Sequence, residues 1–400
     1  MKLITHLLIG TVLLFSYPWP VKDFNTQHQI SATLGEYRTD PSLHFHAGVD
    51  IPWPQSDSVF AVDSGIVDSI NKWVGKFRYV HVDFEVNDEE TLATGDFVGL
   101  VNYPTAPHVH FREAPDSSNR TPVVNNLFSG ALTPYVDSTN PYIDSIRFYR
   151  QGPGDTLLHK DSLDRKVDVL AVARDTRTDS TGHVPAVPGT TSVYRIGYMV
   201  KDTSGNVKKT YWEKIKFDTI PDPASSSQLN LTYGSGSSLS HFRYWVSNDP
   251  FNTNSDLRNY YWNTKQQEGQ PDSVDADSIE VAKFKDGFYW VKVKAYDVRN
   301  NADSESVLVH IDNFAPRVKQ TYPSDWFAFV SNKQKTIWFK FSEPMDIVKI
   351  PNDKCQISNE FLNFKNLNIC IKIDDFFEED IKELNVDFYQ RFNITNQMEV

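Results

Sequence analysis

Residues 289–302 read Tyr-Trp-Val-Lys-Val-Lys-Ala-Tyr-Asp-Val-Arg-Asn-Asn-Ala. Val291, Val293 and Ala295 alternate with Lys292 and Lys294, the period of two expected of a strand with one face on a core. The Asp/Asn-rich stretch that follows ends the strand, because short polar side chains satisfy turn backbone themselves. Residues 194–206, Tyr-Arg-Ile-Gly-Tyr-Met-Val-Lys-Asp-Thr-Ser-Gly-Asn, follow the same plan: Tyr194 and Asp202 are eight apart, as are Tyr289 and Asp297. Each copy continues into another strand, an Asp (Asp218, Asp312) and a Pro (Pro221, Pro316). Pro and Gly, 22 and 18 in number, are spread along the 400 residues, and helix-period patterns are scarce. The fold class is therefore all-β.

A repeat of about 95 residues built of strands and turns resembles Ig-like or fibronectin-type β-sandwiches. The spacing predicts one sandwich over residues 140–221 and a second over 225–316. A third unit opens near Arg317, with a strand at Thr336–Phe341, and residues 317–400 read as a partial Ig-like domain with an irregular tail that is acidic over 374–380. Asp202 and Asp297 have two readings: calcium ligands at domain junctions, or side chains that close turns. Apolar residues are 40% and aromatics 13% of the chain, enough to fill several cores.

The formal charge of −12 repels phosphate backbones and argues against a nucleic-acid partner. Residues 1–16, with Lys2 followed by an apolar run, fit a secretory signal peptide and are too short for a membrane span of about 20 residues. No later segment is apolar enough to span a bilayer, so an exported protein is expected, periplasmic, surface-bound or secreted. The two cysteines, Cys355 and Cys370, form either one disulfide or two thiols, and neither supplies a metal ligand to the first 354 residues.

Six of the 11 histidines fall between residues 28 and 110. His46-Ala47-Gly48-Val49-Asp50 offers an H-x-x-x-D pair, with Gly48 expected to let the backbone turn so that both side chains converge. His108-Val109-His110 sets two imidazoles on one face of a strand. His81 lies in Arg78-Tyr79-Val80-His81-Val82, again with strand texture. Singly, each is more often a surface or core residue. Together, in about 65 residues, they have the makings of a zinc site, which takes about three His/Asp/Glu ligands and keeps a position open.

The order H-x-G-x-D, aromatic-x-His, a Gly-Asp turn (Gly95-Asp96), then P-H-x-H-F resembles the M23 zinc metallopeptidases, the lysostaphin-like and LytM-like endopeptidases that cut peptide cross-links in bacterial walls. Gly35-Glu36-Tyr37-Arg38, Val59–Val67 and Thr94–Gly99 add to the likeness, which covers about residues 30–130. It implies a small antiparallel β peptidase domain over residues 17–135. It implies Zn2+ held by His46, Asp50 and His110, with His81 and His108 as the catalytic histidines that move protons. The partner it implies is the peptide part of peptidoglycan. Three features depart from the family: a short stretch between Asp50 and His108, the loop Asn102-Tyr103-Pro104-Thr105-Ala106-Pro107 before H-x-H, and Arg112 where the family has Glu, with Glu113 one step later. These bear on groove shape and substrate choice. His44 forms H-x-H with His46 but lacks the spacing to Asp50, and is expected to line the groove.

The resulting expectation is an exported zinc endopeptidase that remodels the cell wall. Two others stand beside it: a non-catalytic M23-like regulator of wall enzymes, and a surface adhesin or scaffold acting through its Ig-like repeats, with a cell-surface or protein partner.

Overall fold

Short runs of β-branched and aromatic residues, punctuated by Gly, Asp and Pro, form strands almost throughout the computed structural model. It describes residues 16–315, except 121, 128–131, 153, 177–188 and 222–224, together with three later strands. Two compact units are present, Met1–Asn313 and Phe314–Val400.

The first part of unit one contains β1 (Tyr37–Arg38), β2 (His44–Phe45), β3 (Val49–Pro52), β4 (Ser58–Phe60), β5 (Gly65–Asp68), β6 (Trp73–Val74), β7 (Phe77–Val80), β8 (Val82–Phe84), β9 (Thr91–Leu92), β10 (Phe97–Val101) and β11 (His108–Glu113). A six-stranded sheet runs β3-β11-β7-β6-β5-β9, a three-stranded one β4-β10-β8, and β1 pairs with β2. Val49, Ile51, Phe77, Tyr79, Val109 and Phe111 turn one face of the large sheet into a shared core with Val59, Val98 and Trp19. The residues between them in sequence are left to the opposite face.

The rest of unit one contains β12 (Tyr142–Arg150), β13 (Leu157–Leu158), β14 (Lys166–Thr176), β15 (Thr190–Thr191), β16 (Arg195–Asp202), β17 (Val207–Lys216), α1 (Ser226–Thr232), β18 (Arg243–Trp245), β19 (Trp262–Asn263), β20 (Gly287–Tyr296) and β21 (Ala302–Ile311). The helix starts where the Ser225 hydroxyl accepts the Gln228 amide proton. One sheet centres on β12 and β14, with β13, β15, β18 and β19 attached; the other runs β17-β16-β20-β21.

This arrangement corrects the expectation of separate sandwiches at 140–221 and 225–316. β16 pairs along its whole length with β20, from Arg195↔Tyr296 to Asp202↔Tyr289. β18 and β19 pair with β14. Ile143, Val169, Tyr198 and Phe217 share one core with Phe242, Trp262, Val291 and Val309. The two ranges therefore interleave in a single sandwich, and what repeats is a hairpin rather than a domain. Asn206 donates from its backbone to Asp202 Oδ1 at 2.8 Å and from its side chain to Oδ2 at 2.9 Å. Asn301 donates to Asp297 in the same two ways, at 2.8 and 2.6 Å. The penultimate turn residue has positive φ in both, Gly205 at 88° and Asn300 at 66°. The turn-closing reading of both aspartates accounts for these bonds.

Unit two has β22 (Val318–Tyr322), β23 (Thr336–Phe341) and β24 (Glu383–Asp387), in the order β22-β23-β24. Residues 1–15, Cys355, Cys370 and the acidic stretch 374–380 lie outside the described residues. No described helix is long and apolar enough to cross a membrane.

Candidate metal centre

Strand register brings the site together. On β11, Val109, Phe111 and Glu113 are buried while His108, His110 and Arg112 share the other face. β3 runs antiparallel beside it with His110 opposite Asp50 and His108 opposite Pro52, so Asp50 and His110 project from the same face. His46 arrives from the β2 side. Gly48 permits this by its size and not by an unusual φ, as it is not among the positive-φ residues. A Cβ there would sit 2.4 Å from the Phe111 carbonyl oxygen and 3.2 Å from His110 Nε2.

His46 Nε2, Asp50 Oδ1 and His110 Nδ1 form a nearly equilateral triangle. Its sides are 3.0 Å (His46–Asp50), 2.9 Å (His46–His110) and 2.9 Å (His110–Asp50). Three corners of an ideal tetrahedron with bonds of about 2.0–2.1 Å lie about 3.3 Å apart, so the triangle is close to the size zinc requires. The donor chemistry fits as well. A carbonyl oxygen can only accept, so His46 Nδ1, 2.8 Å from Thr33 O, carries a proton, and Nε2 is the nitrogen turned toward the triangle. Burial lowers His110 to about 4, which leaves its imidazole neutral near pH 7. Burial also works against a charged Asp50, but His46 and His110 outweigh it and hold the carboxyl well below its usual range. Two imidazole nitrogens and a carboxylate oxygen therefore face one point. Asp50 and His110 side chains keep 14% and 16% exposure, so the point is open to solvent on one side.

The other two histidines flank the triangle. His108 Nε2 is 3.5 Å from Asp50 Oδ1. Its Nδ1 donates to the Ala106 carbonyl oxygen at 2.6 Å, which leaves Nε2 as the nitrogen facing the site. The ring of His81 lies 4.6 Å from that of His108 and 6.3 Å from that of His110, with the Tyr103 ring 4.2 Å away on another side. Burial first, then the proximity of His108, lowers His81 to about 4. The strand expected through His81 is broken at that residue. β7 ends at Val80 in one sheet, β8 begins at Val82 in another, and His81 between them has φ 64°. The left-handed conformation turns its ring out of the strand and toward the site; for a residue other than Gly it is uncommon and tends to occur where function holds it. All five predicted residues thus meet in one place. His44, expected to line the groove, is tied to the Ser42 carbonyl and makes no described contact with the triangle.

The residues that hold the ligands were not visible in the sequence. Glu36, 1% exposed, accepts from the Thr33 backbone at 2.8 Å, the Thr33 hydroxyl at 3.0 Å and the Ser192 backbone at 3.2 Å. Its other oxygen pairs with Arg38 at 3.1 Å, and Arg38 reaches Asp50 Oδ2 at 3.5 Å. Glu36 therefore supports His46 through Thr33 and Asp50 through Arg38. The only signal was the Gly35–Arg38 segment itself; Ser192, 159 residues from Thr33, left none.

No family model matches the chain, and no curated protein matches it. A solved structure with some likeness is dimeric latent PorU from Porphyromonas gingivalis, at 11% identity and a TM-score of 0.21. The match covers 79% of this chain and 26% of that one, a likeness too slight to bear on chemistry.

Proposed function

We propose that this chain is an exported zinc endopeptidase that hydrolyses peptide cross-links of bacterial peptidoglycan. The observation that carries the reading is the convergence of His46 Nε2, Asp50 Oδ1 and His110 Nδ1 within 3.0 Å of one another, with His81 and His108 alongside. A ligand triangle alone is compatible with a structural ion. Two further imidazoles beside the ligands are what hydrolysis needs and structural binding does not.

Zinc held by the three ligands would supply Lewis acidity to a scissile carbonyl and to the attacking water. The remaining work falls to the protein. His108, its ring fixed by the bond from Nδ1 to the Ala106 carbonyl, turns Nε2 toward the site and is placed to accept the proton of that water. His81, neutral near pH 7, stands where it can share the proton and orient the carbonyl oxygen, with Tyr103 packing its ring in place. The peptidoglycan substrate and the exported location follow from the sequence resemblance and the apolar N-terminal run.

The test is digestion of purified cell wall by the full chain, with metal content measured alongside. The expected result is one zinc per chain and released wall peptides. His46→Ala should lose both metal and activity. His108→Ala should keep the metal and lose about 10²–10⁴-fold in rate, the usual worth of a general base. Wild-type protein fully loaded with zinc but inert on wall would overturn the proposal.

A further inference from the structure

The face of the sheet that carries the metal ligands continues past them. Two residues beyond His110 on β11 stands Arg112, directly opposite Arg78 on β7, and Arg78 is in turn opposite Trp73 on β6. All three side chains point to the face of His110 and Asp50. A third arginine, Arg120, joins them from the following loop. The guanidinium carbons lie 5.8 Å (Arg78), 5.7 Å (Arg112) and 5.2 Å (Arg120) from the centre of the Trp73 ring, which they leave only 6% exposed.

Each arginine is held by a backbone carbonyl. Arg78 Nε donates to Asn71 O at 3.0 Å, Arg120 Nε to Gly75 O at 3.1 Å and Arg112 Nη2 to Arg120 O at 3.3 Å. Asp68 pairs with Arg120 at 3.0 Å. Covering an indole needs only the apolar stems of such side chains. Setting two guanidinium groups directly opposite each other across a strand pair is a cost to the fold, since like charges there destabilise. A ligand carboxylate relieves that cost, and the planar forks of Arg suit it in particular. The row begins about 7 Å from His110, two strand residues at about 3.4 Å each, which is the reach of one or two residues of an extended peptide lying on the sheet.

We propose that Arg78, Arg112 and Arg120 form a carboxylate subsite beside the metal centre, and that the preferred substrate is a peptide with a carboxylate one or two residues from the scissile bond. The assignment of the neighbouring centre as a peptidase site is taken from the reading above.

Binding of short probes to the full zinc-loaded chain tests it, in a His108→Ala background, which keeps the metal, as well as in wild type so that cutting does not interfere. The probes are acetyl-Ala-Glu-Ala-amide, its Gln counterpart and acetyl-Ala-Gln-Ala with a free C-terminal carboxylate. Calorimetry should show at least tenfold tighter binding of one or both acids than of the neutral probe, and which acid is preferred tells a side-chain carboxylate from a terminal one. Arg78→Gln with Arg112→Gln should abolish the preference with zinc content unchanged in the wild-type background. Lys at both positions should restore part of it if the glutamine pair folds poorly. Equal binding of all probes, no measurable binding of any, or a preference that survives both glutamines would overturn the subsite. A chain that sorts the probes but never cuts wall keeps the subsite and loses the peptidase; one that cuts wall and sorts nothing does the reverse.

Discussion

Glu36 shows how much of a metal centre resides in residues that touch no metal. One carboxylate oxygen gathers the Thr33 amide, the Thr33 hydroxyl and the Ser192 amide; the other holds Arg38. Thr33 in turn fixes a proton on His46 Nδ1 and orients the ring so that Nε2 points into the triangle. Such outer partners typically contribute 10–100-fold in metal affinity. Glu36→Gln retains an acceptor for Thr33 but not the charge for Arg38, and zinc affinity should fall about tenfold. Glu36→Ala should approach the upper end of that range. Competition against a chromophoric chelator measures both, and affinity unchanged in Glu36→Ala would show that the network holds the fold and not the ligands. The ligands themselves were legible because chemistry restricts them to few residue types at tight spacing. Glu36 was not, since a buried carboxylate looks like any surface glutamate until its partners are in place.

At the scale of elements, three pieces of chain bring three carboxylates together. Asp137 comes from the segment leading into the sandwich, Asp175 from the end of β14 and Asp297 from the β20–β21 turn; their oxygens lie within 4.8 Å of one another. Asp297 is occupied by its own turn. Asp175, 6% exposed, accepts the amide of Thr176 and raises the question of its charge. Burial, then Asp137 and Asp297, pushes its carboxyl up to about 8. Burial also raises Asp137, with the bonds from Thr139 and then Arg299 opposing, and raises Asp297. The sign follows from linkage: a carboxyl whose pKa is higher in the folded state binds its proton more tightly there. Its stabilising effect is complete below the unfolded value near 3.8 and is lost as pH rises toward 8. Stability of the chain should therefore fall from about pH 4 to pH 8 through this group, and Asp175→Asn should flatten that slope. Urea titrations across the range check it; an unaltered slope in the variant would show Asp175 ionised throughout. The turns themselves were legible, because Asp-x-x-Gly-Asn and Asp-x-x-Asn-Asn close on the same bonds. Their meeting with Asp137 and Asp175 was not, as pairing between distant strands leaves no local trace.

Over the whole of unit one, the sequence repeat suggested modules and the packing denies it. Alternation reports that a strand has one buried face, and says nothing about which partner covers it. The two repeated hairpins lie side by side, β16 against β20, and bury a common core. The same core reaches into the metal-binding half. Phe45, next to His46, is 2% exposed and belongs to the sandwich core, and Tyr37 packs against it. The Tyr233 hydroxyl donates to Gly35 O at 2.7 Å, and the Asn125 side chain donates to Phe217 O at 2.8 Å. The hairpin that delivers His46 is thus wedged between the two halves and takes its position from both. Residues 17–140 expressed alone would expose Phe45 and lose Ser192 and Tyr233. Removing a buried aromatic's surroundings costs on the order of truncating it, about 3–5 kcal/mol, a large part of the 5–15 kcal/mol that typically stabilises a domain. The fragment should accordingly melt far below residues 16–313, or not fold, and bind zinc at least tenfold more weakly. The longer piece should unfold in one transition whether followed by far-UV dichroism or by release of zinc to a chelator. Two separated transitions, or a fragment with undiminished zinc affinity, would mean that the sandwich is an appendage; coincident transitions would mean that it forms one wall of the metal centre.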